Sequence, residues 1–314
     1  MINVGFRARL RDNWLLRHLK RSFENLEIEQ ELRDYRASEI AQKGIIASWR
    51  QLQTQGIILP FDQVGFSRFS EFEEDGILLY LMTLAGTRSR TIVEISSQDG
   101  RTCMASNLIV HHQWRGYLFD GDPVFARHGR RFFGRHPATA AFPPVMQSQW
   151  FTRDNINEIL ASVGVPKEID ILSLDIDGND LYLWDALLVT RPRILVCEIN
   201  NAIPSGHALT IPYSEDFDFR KLGDDKALYR SASLDAYITV GRRKGYRFVG
   251  MNALGFNAIF LRDDVLESEF PERCSRDLDT NAFATQMRSK WWHLLCDLPW
   301  IKVDMEGANL GRSS

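Results

Sequence analysis

The sequence predicts an α/β protein whose mainly parallel sheet ends in an antiparallel hairpin. Three observations indicate this fold class. Short apolar runs alternate with helical patterns, which is typical of parallel strands joined by helices. The runs at 169–175 and 193–200 are nearly continuous, as expected for central strands covered on both faces. The last two strand patterns, within "YRFVGMNALGFNAIFL" at 246–261, are so close in sequence that they can pair only in the antiparallel sense.

The individual elements follow from local patterns. Residues 1 to about 58 read as one or two helices, because they lack proline and end near Gly56 and Pro60. We therefore expect a helical extension over 1–62, the sheet domain over 63–265 and a C-terminal tail with a helix over 266–314. The predicted strands are 91–95, 116–120, 144–149, 169–175 and 193–200, and the predicted helices begin near Glu73, Arg101, Pro123, Asp154, Asn179 and Ser233.

The composition limits the classes of function. A formal net charge of −3 over 314 residues argues against a dedicated nucleic-acid binder, which is usually basic. The four cysteines form no CxxC pair, which favours reduced thiols in a reducing compartment over a zinc site or disulfides. No apolar run approaches the roughly 20 residues of a membrane span, and no signal-peptide pattern is visible. We expect a cytoplasmic protein.

The two ends of the chain carry features outside this sheet pattern. Residues 6–23 alternate basic and apolar side chains, and such a helix can contact an anionic membrane surface as a peripheral partner. Packing of its apolar stripe on the domain is the commoner arrangement. In the tail, Trp291, Trp292 and Trp300 are candidates to cover a site, to form a homo-oligomer contact or to extend the core.

Several motifs occur in one order over residues 67–265. They include "FEEDGILLYL" at 72–81, "VEISSQDG" at 93–100, "WRGYLFDGDP" at 114–123, "DILSLDIDGND" at 170–180, "RPRILVCEIN" at 191–200 and "SASLDAY" at 231–237. In these motifs and their spacing the chain resembles the FkbM-type methyltransferases, in a bacterial branch of that family. The resemblance implies a Rossmann-like class I methyltransferase sheet, S-adenosylmethionine (SAM) as the cofactor, and O-methylation of a small-molecule acceptor, namely a sugar or glycan-like hydroxyl.

The sequence departs from the family pattern at two loops. Ser96 replaces a glycine in the first loop, which the backbone tolerates if φ at Ser96 stays negative. Asp175-Ile176-Asp177-Gly178 stands where the wider family has D-V-E-G. Gly100 is expected to open a helix whose first amides suit a ligand carboxylate. The serine favours a second class of function, a methyltransferase-like scaffold that binds a ligand or partner without methyl transfer.

Polar side chains follow the ends of the predicted strands, where ligands of open α/β sheets bind. Asp120 can accept hydrogen bonds from both ribose hydroxyls, or it satisfies amides of its own turn. Glu94 either reaches the cofactor's amino-acid end or is the buried partner of an arginine or of backbone amides. Gln149, Trp150 and Phe151 are the candidates for an adenine pocket, or the two aromatic residues pack in the core. The predicted cofactor-binding residues are Glu94, Ser96, Asp99, Gly100, Asp120, Gln149, Trp150 and Asp175.

Four oxygen-bearing side chains follow two neighbouring strands. Asp175, Asp177, Glu198 and Asn200 offer the ligand type that Mg²⁺ prefers. A metal there would lower the pKa of an acceptor hydroxyl. Alternatively, Asp175 contacts cofactor or substrate directly, while Asp177 and Asn179 cap the next helix.

Histidines provide the remaining candidates for proton transfer. His207, in the long polar segment 201–231, is a candidate general base and completes a predicted catalytic set with Asp175 and Asp177. His111 and His112 are expected to cap the carbonyls of the helix that they end. The sequence contains neither a GxSxG elbow nor a GxxxxGK[ST] motif, so a serine hydrolase and a P-loop NTPase lack support.

Overall fold

The computed structural model describes residues 34–305 and Leu310. The basic amphipathic stretch at 6–23 lies outside the described residues, and the membrane contact predicted for it stays a prediction. Within the described part, every helix is too short or too polar to cross a bilayer.

The strands of the described residues follow the predicted alternation, with boundaries that differ by a few residues. They are β1 (Thr91–Ile95), β2 (Arg115–Asp120), β3 (Val145–Ser148), β4 (Glu168–Leu174), β5 (Arg191–Glu198), β6 (Leu209–Thr210), β7 (Tyr246–Met251), β8 (Asn257–Arg262) and β9 (Ile301–Lys302).

Seven of these strands form one sheet in the order β3–β2–β1–β4–β5–β8–β7. Strands β1 to β5 run parallel, and β8 lies antiparallel between β5 and β7. This is the Rossmann-like class I methyltransferase sheet that the sequence predicts, with the terminal antiparallel hairpin in place. The strand order reverses between β1 and β4, which sets the crevice for a ligand at their carboxyl ends.

Helices cover both faces of the sheet. Two of the predicted starts have the expected chemistry: Asp122 caps Val124 with Pro123 at the first position, and Ser233 caps Ala236. In the described residues the helices are α1 (34–54), α2 (Glu74–Ala85), α3 (Met104–His112), α4 (Pro123–Arg135), α5 (Ile156–Ser162), α6 (Asp180–Ala186), α7 (Leu234–Lys244) and α8 (Ala282–Leu295).

Two apolar layers hold these helices on the sheet. On one face, Leu160 of α5, Trp184 of α6 and Tyr237 of α7 pack over the buried side chains of β1, β4 and β5. On the other face, α2 and α3 pack through side chains such as Leu81 and Leu108. Because both faces are covered, the free polar groups of the sheet are confined to the ends of its strands.

Helix α3 starts later than predicted. It begins at Met104 and not at Arg101, because residues 96–103 form an irregular loop. The last amide of that loop, on Cys103, donates to the carbonyl of Phe69 at 3.0 Å. The loop is therefore held by the segment that precedes α2.

The two histidines that end α3 do not cap it as predicted. His112 contacts Oε1 of Gln42 on α1 through Nε2 at 2.7 Å. The ring of His111 stacks on Tyr35 of α1 with 5.0 Å between centroids. Burial lowers the pKa of His111 to about 3, so this ring is neutral at physiological pH. Both residues fix α1 to the sheet domain.

The long segment 201–231 joins the C-terminal part of the chain. Its strand β6 pairs with β9 in a separate two-stranded sheet. Ile211 and Tyr229 of the segment form an apolar cluster with Leu295 of α8, against which Trp292 and Trp300 pack. The predicted core role of these tryptophans matches this packing.

Candidate active site

The first loop bends sharply at the end of β1. The amides of Ser96 and Ser97 both donate to the carbonyl of Phe119 on β2 at 2.8 Å. This arrangement puts Ser96 at φ +77°, so the condition of a negative φ is not met. A left-handed conformation costs an L-residue roughly 1–2 kcal/mol, and glycine avoids that cost. Serine is thus accommodated with strain at the position where the family that the sequence resembles has glycine.

Gly100 meets a packing requirement. Its φ is +75°, and a Cβ built there would lie 2.5 Å from Cε2 of Phe133 on α4. No other residue fits without displacing that ring. Asp99, beside it, accepts a hydrogen bond from the amide of Arg101 at 3.0 Å. The observed contacts of both residues are structural, and their cofactor role stays a prediction.

Glu94 is turned toward the start of α3. Its carboxylate accepts hydrogen bonds from the amides of Met104 at 3.0 Å and Ala105 at 2.7 Å, and from the thiol of Cys103 at 3.0 Å. Burial raises its pKa to about 7. The contacts are those of a buried partner of backbone amides. The first amides of α3, which the sequence reserves for a ligand carboxylate, are already occupied.

Asp120 links the loops that follow β1 and β2. Its two carboxylate oxygens accept from the amides of Gln98 and Asp122, each at 2.8 Å. Burial raises its pKa above the usual range. These are the contacts expected of a turn aspartate. Each oxygen still has a second lone pair, so the predicted ribose contact stays a prediction.

The two aromatic residues that follow β3 differ in burial. Phe151 is buried and packs edge-on against Phe119. Trp150 is 54% exposed, and its Nε1 donates to the carbonyl of Glu215 at 3.0 Å. The amide of Gln149 donates to the carbonyl of Asp120 at 2.9 Å. Trp150 thus lies just after the end of β3, where its hydrogen bond to Glu215 holds part of segment 201–231.

Three carboxylates meet at the ends of β4 and β5. One oxygen from each of Asp175, Asp177 and Glu198 lies within 4.8 Å of the other two. The amide of Asp175 donates to the carbonyl of Ile95 at 3.3 Å, which places this cluster beside the end of β1. We call these three residues the acidic cluster. The sequence predicts this convergence.

The acidic cluster concentrates negative charge in a poorly solvated place. Burial, then the charge of Asp177, raises the pKa of Asp175, and burial, then the charge of Asp175, raises the pKa of Glu198. Asp175 and Glu198 are close enough to share a hydrogen bond when one of them is protonated. Among the described residues, Oε2 of Glu198 has no hydrogen-bond donor.

Arg230, which the sequence does not single out, supplies the cation of this site. Its guanidinium forms ion pairs with Asp177 and, at 3.3 Å, with Glu198. It also lies 4.6 Å from the ring centroid of Phe219. The only signal in the sequence is an arginine in a long polar segment, which is too common to identify a site.

Asn200 does not contribute to the acidic cluster, contrary to its assignment as a metal ligand. Its Nδ2 donates to the carbonyls of Leu228 at 2.7 Å and Arg230 at 2.9 Å. Its Oδ1 accepts from the amide of Ala202 at 3.1 Å. Both polar atoms serve the backbone of segment 201–231, so Asn200 positions Arg230.

The turn before α6 is held by a residue that the sequence reading passes over. The amides of Ile176 and Gly178 donate to the carboxylate of Asp180 at 2.6 and 2.9 Å. Asn179 instead donates to the carbonyl of Ser214 at 2.6 Å. The predicted capping by Asp177 and Asn179 is therefore wrong, and Asp177, at φ +57°, is free to face Arg230.

His207 lies away from the acidic cluster. The side chain is exposed; its Nδ1 is 3.3 Å from the carbonyl of Ser205, and its ring lies 5.7 Å from that of Trp292. Its contacts are with the turn at the start of segment 201–231 and with α8. The predicted catalytic set is brought together at Asp175 and Asp177 but not at His207.

No family model and no curated protein matches the chain. Among solved structures, it is similar to magnesium protoporphyrin IX methyltransferase from Synechocystis PCC 6803 with bound SAM, at 10% identity and a TM-score of 0.38, over 60% of this chain and 76% of that one. It is also similar to an O-methyltransferase from Bacillus cereus in complex with SAH, at 13% identity and 0.39, over 69% and 88%. A third is the plantazolicin methyltransferase BamL with SAH and a triazolic desmethylPZN analog, at 11% and 0.36, over 70% and 76%.

Proposed function

We propose that the chain is a SAM-dependent methyltransferase that methylates a hydroxyl of a sugar or glycan-like acceptor. The observation that carries the proposal is the acidic cluster at the ends of β4 and β5, beside the β1 loop of a class I sheet. In such a sheet the crevice at the strand ends is the binding site. The sugar preference rests on the family resemblance.

The β1 and β2 ends form the cofactor half of the proposed site. The free lone pairs of Asp120 are directed to the ribose hydroxyls, and the exposed indole of Trp150 is the surface for adenine. Bound SAM would supply a methyl group carried on its sulfonium sulfur. Transfer of that methyl group to the acceptor oxygen would leave the sulfur as a neutral thioether. The remaining task of the protein is alignment of the two reactants.

The acidic cluster and Arg230 form the acceptor half. Carboxylates accept hydrogen bonds from hydroxyls, and the guanidinium donates to hydroxyl oxygens, so the pair can orient neighbouring hydroxyls of one molecule. A carboxylate that accepts a hydrogen bond from the reacting hydroxyl takes its proton as the methyl group arrives. Asp175 and Glu198 are the candidates, since Arg230 is ion-paired with Glu198 and the amide of Asp175 is bonded to the end of β1.

Mg²⁺ stays a prediction from the sequence. Three carboxylates match the oxygen ligands of Mg²⁺, but Arg230 is ion-paired with two of them, and Asn200 is used elsewhere. The site does not fit a metal with Arg230 in place.

Calorimetric titration with SAM tests the cofactor half. We expect the wild type to bind, Asp120→Ala to lose at least about tenfold in affinity, and Asp177→Ala to keep its affinity, because only the first variant removes the ribose acceptor. Asp122→Ala is the matched control, since it removes a neighbouring carboxylate that caps α4. Absence of binding by the folded wild type at millimolar SAM contradicts the proposal.

A ligand-binding scaffold without methyl transfer is the second candidate. The strained Ser96 and the occupied amides of α3 favour it. Ser96 puts a side chain where the family pattern has glycine, and the amides of Met104 and Ala105 already donate to Glu94 and not to the amino-acid end of SAM. Release of the demethylated product in the presence of sugar acceptors separates the two. SAM binding without release across an acceptor panel supports the scaffold.

A further inference from the structure

One guanidinium occupies the acidic cluster. Arg230 reaches Asp177 and Glu198 with two different nitrogens, Nη1 and Nη2, so it bridges the end of β4 and the end of β5. Its side chain is 19% exposed, that of Glu198 is 12% exposed, and that of Asp177 is 41% exposed. The cation is thus set into the site and is not a surface partner, for which an ion pair would carry little weight.

Three separate contacts deliver Arg230 to this place. Asn200, two residues after the end of β5, donates hydrogen bonds to the carbonyls of Leu228 and Arg230 and so fixes the backbone of Arg230. The ring of Phe219 packs against the guanidinium. Phe219 belongs to segment 201–231 and Asn200 immediately precedes it. This segment and the residue before it therefore hold the guanidinium in the acidic cluster.

The same oxygens are the ones that a divalent cation needs. The three carboxylates lie within 4.8 Å of one another, and the buried Oε2 of Glu198 has no donor among the described residues. A guanidinium and a hard metal ion cannot share these oxygens, because the two cations repel at such distances and Arg230 already pairs with Asp177 and Glu198.

We propose that Arg230 is a built-in cation that takes the place of a divalent metal at the ends of β4 and β5, so that the protein works without one and removal of Arg230 opens a divalent-cation site. The proposal does not depend on methyl transfer. It assigns Arg230 a positioning role, since it neutralises the carboxylates and sets their orientation.

Mn²⁺ binding to full-length protein that has been treated with chelator tests this proposal. The bound fraction is measured as the loss of the free Mn²⁺ signal in electron paramagnetic resonance. We expect negligible binding by the wild type and by Arg230→Lys. We expect Arg230→Gln to bind at least about tenfold more tightly, and Arg230→Gln/Glu198→Gln to lose that gain. Arg220→Gln is the charge-matched control: Arg220 lies on the same segment, but its side chain is exposed and pairs with Asp218, outside the acidic cluster.

Three results overturn the proposal. One is stoichiometric Mn²⁺ binding by the chelator-treated wild type, a measurement that needs no variant to fold. Another is an equal gain in Arg220→Gln, which would make the effect one of net charge. The third is absence of binding by an Arg230→Gln variant whose near-UV circular dichroism is native; if that variant is unfolded, Arg230→Met replaces it. SAM titration of the same samples reports separately on the proposed function.

Discussion

The two halves of the carboxyl edge satisfy their carboxylates in different ways. Beside β1 and β2, Glu94 and Asp120 accept hydrogen bonds from backbone amides of the adjoining loops. Beside β4 and β5, Asp175 and Glu198 lie against each other, and the compensating cation comes from segment 201–231. The first half is satisfied by backbone amides and a thiol that lie near β1 and β2 in the chain. The second depends on an exchangeable side chain, and this is where an incoming group can replace an existing contact.

The largest effect tests whether Glu94 is structural. Glu94→Ala leaves two amides and a thiol without their acceptor in a buried place, so we expect a loss of about 2–4 kcal/mol in the free energy of unfolding. Thermal denaturation measures it. Glu94→Gln, which keeps one acceptor oxygen, should lose less. Unchanged stability together with lost SAM affinity would show that Glu94 serves the cofactor instead.

A smaller expected change, in melting temperature, tests the crowding of carboxylates in the acidic cluster. The pKa of Glu198 is raised in the folded protein, so the folded state holds its proton more tightly than the unfolded chain does. The resulting cost to stability is absent below the ordinary carboxyl pKa of about 4 and grows as the pH rises above it. Glu198→Gln removes this cost. We expect its melting temperature to exceed that of the wild type by about 2–4 °C at alkaline pH and to match it near pH 4.

The control for this pH dependence has the opposite sign. The hydrogen bond to Arg220 holds the pKa of Asp218 below its usual range, so its contribution to stability is present above the ordinary carboxyl pKa and is lost in acid. Asp218→Asn should therefore show no gain at alkaline pH. A gain in both variants would indicate a general effect of net charge and not a property of the acidic cluster.

The smallest effect concerns the strain at Ser96. Ser96→Gly relieves the left-handed conformation but makes the unfolded chain more flexible, so we expect a net gain of at most about 1 kcal/mol. Chemical denaturation measures it. Ser96→Ala keeps the Cβ and should show no gain. A destabilised Ser96→Gly would mean that the hydroxyl, and not the backbone, fixes this loop.

The sequence identifies much of the sheet and part of the site. The limits of β1 agree with the predicted strand, and Pro123 opens α4 and Ser233 caps α7 as expected, because apolar periodicity and capping act over a few residues. The convergence of Asp175, Asp177 and Glu198 follows from their places after parallel strands. Those features need no knowledge of distant contacts.

The errors lie where contacts join residues far apart in sequence. The positive φ of Ser96 follows from a carbonyl on β2, the late start of α3 from a contact with Phe69, and the role of Asn200 from the backbone of residues 228–230. The general-base prediction for His207 used only its position in a long polar segment. None of these partners is visible in a local pattern.

By itself, the sequence determined that strands alternate with helices, that a hairpin ends the sheet, and that carboxylates follow its strands. Only the tertiary structure decided which carboxylates are satisfied and which cation joins them. The physical reason is the range of the forces. Burial of an apolar stripe is decided within one helix or strand. A buried charge must find its partner wherever packing brings one, and here that partner is Arg230, which follows Asp177 by more than fifty residues in the chain.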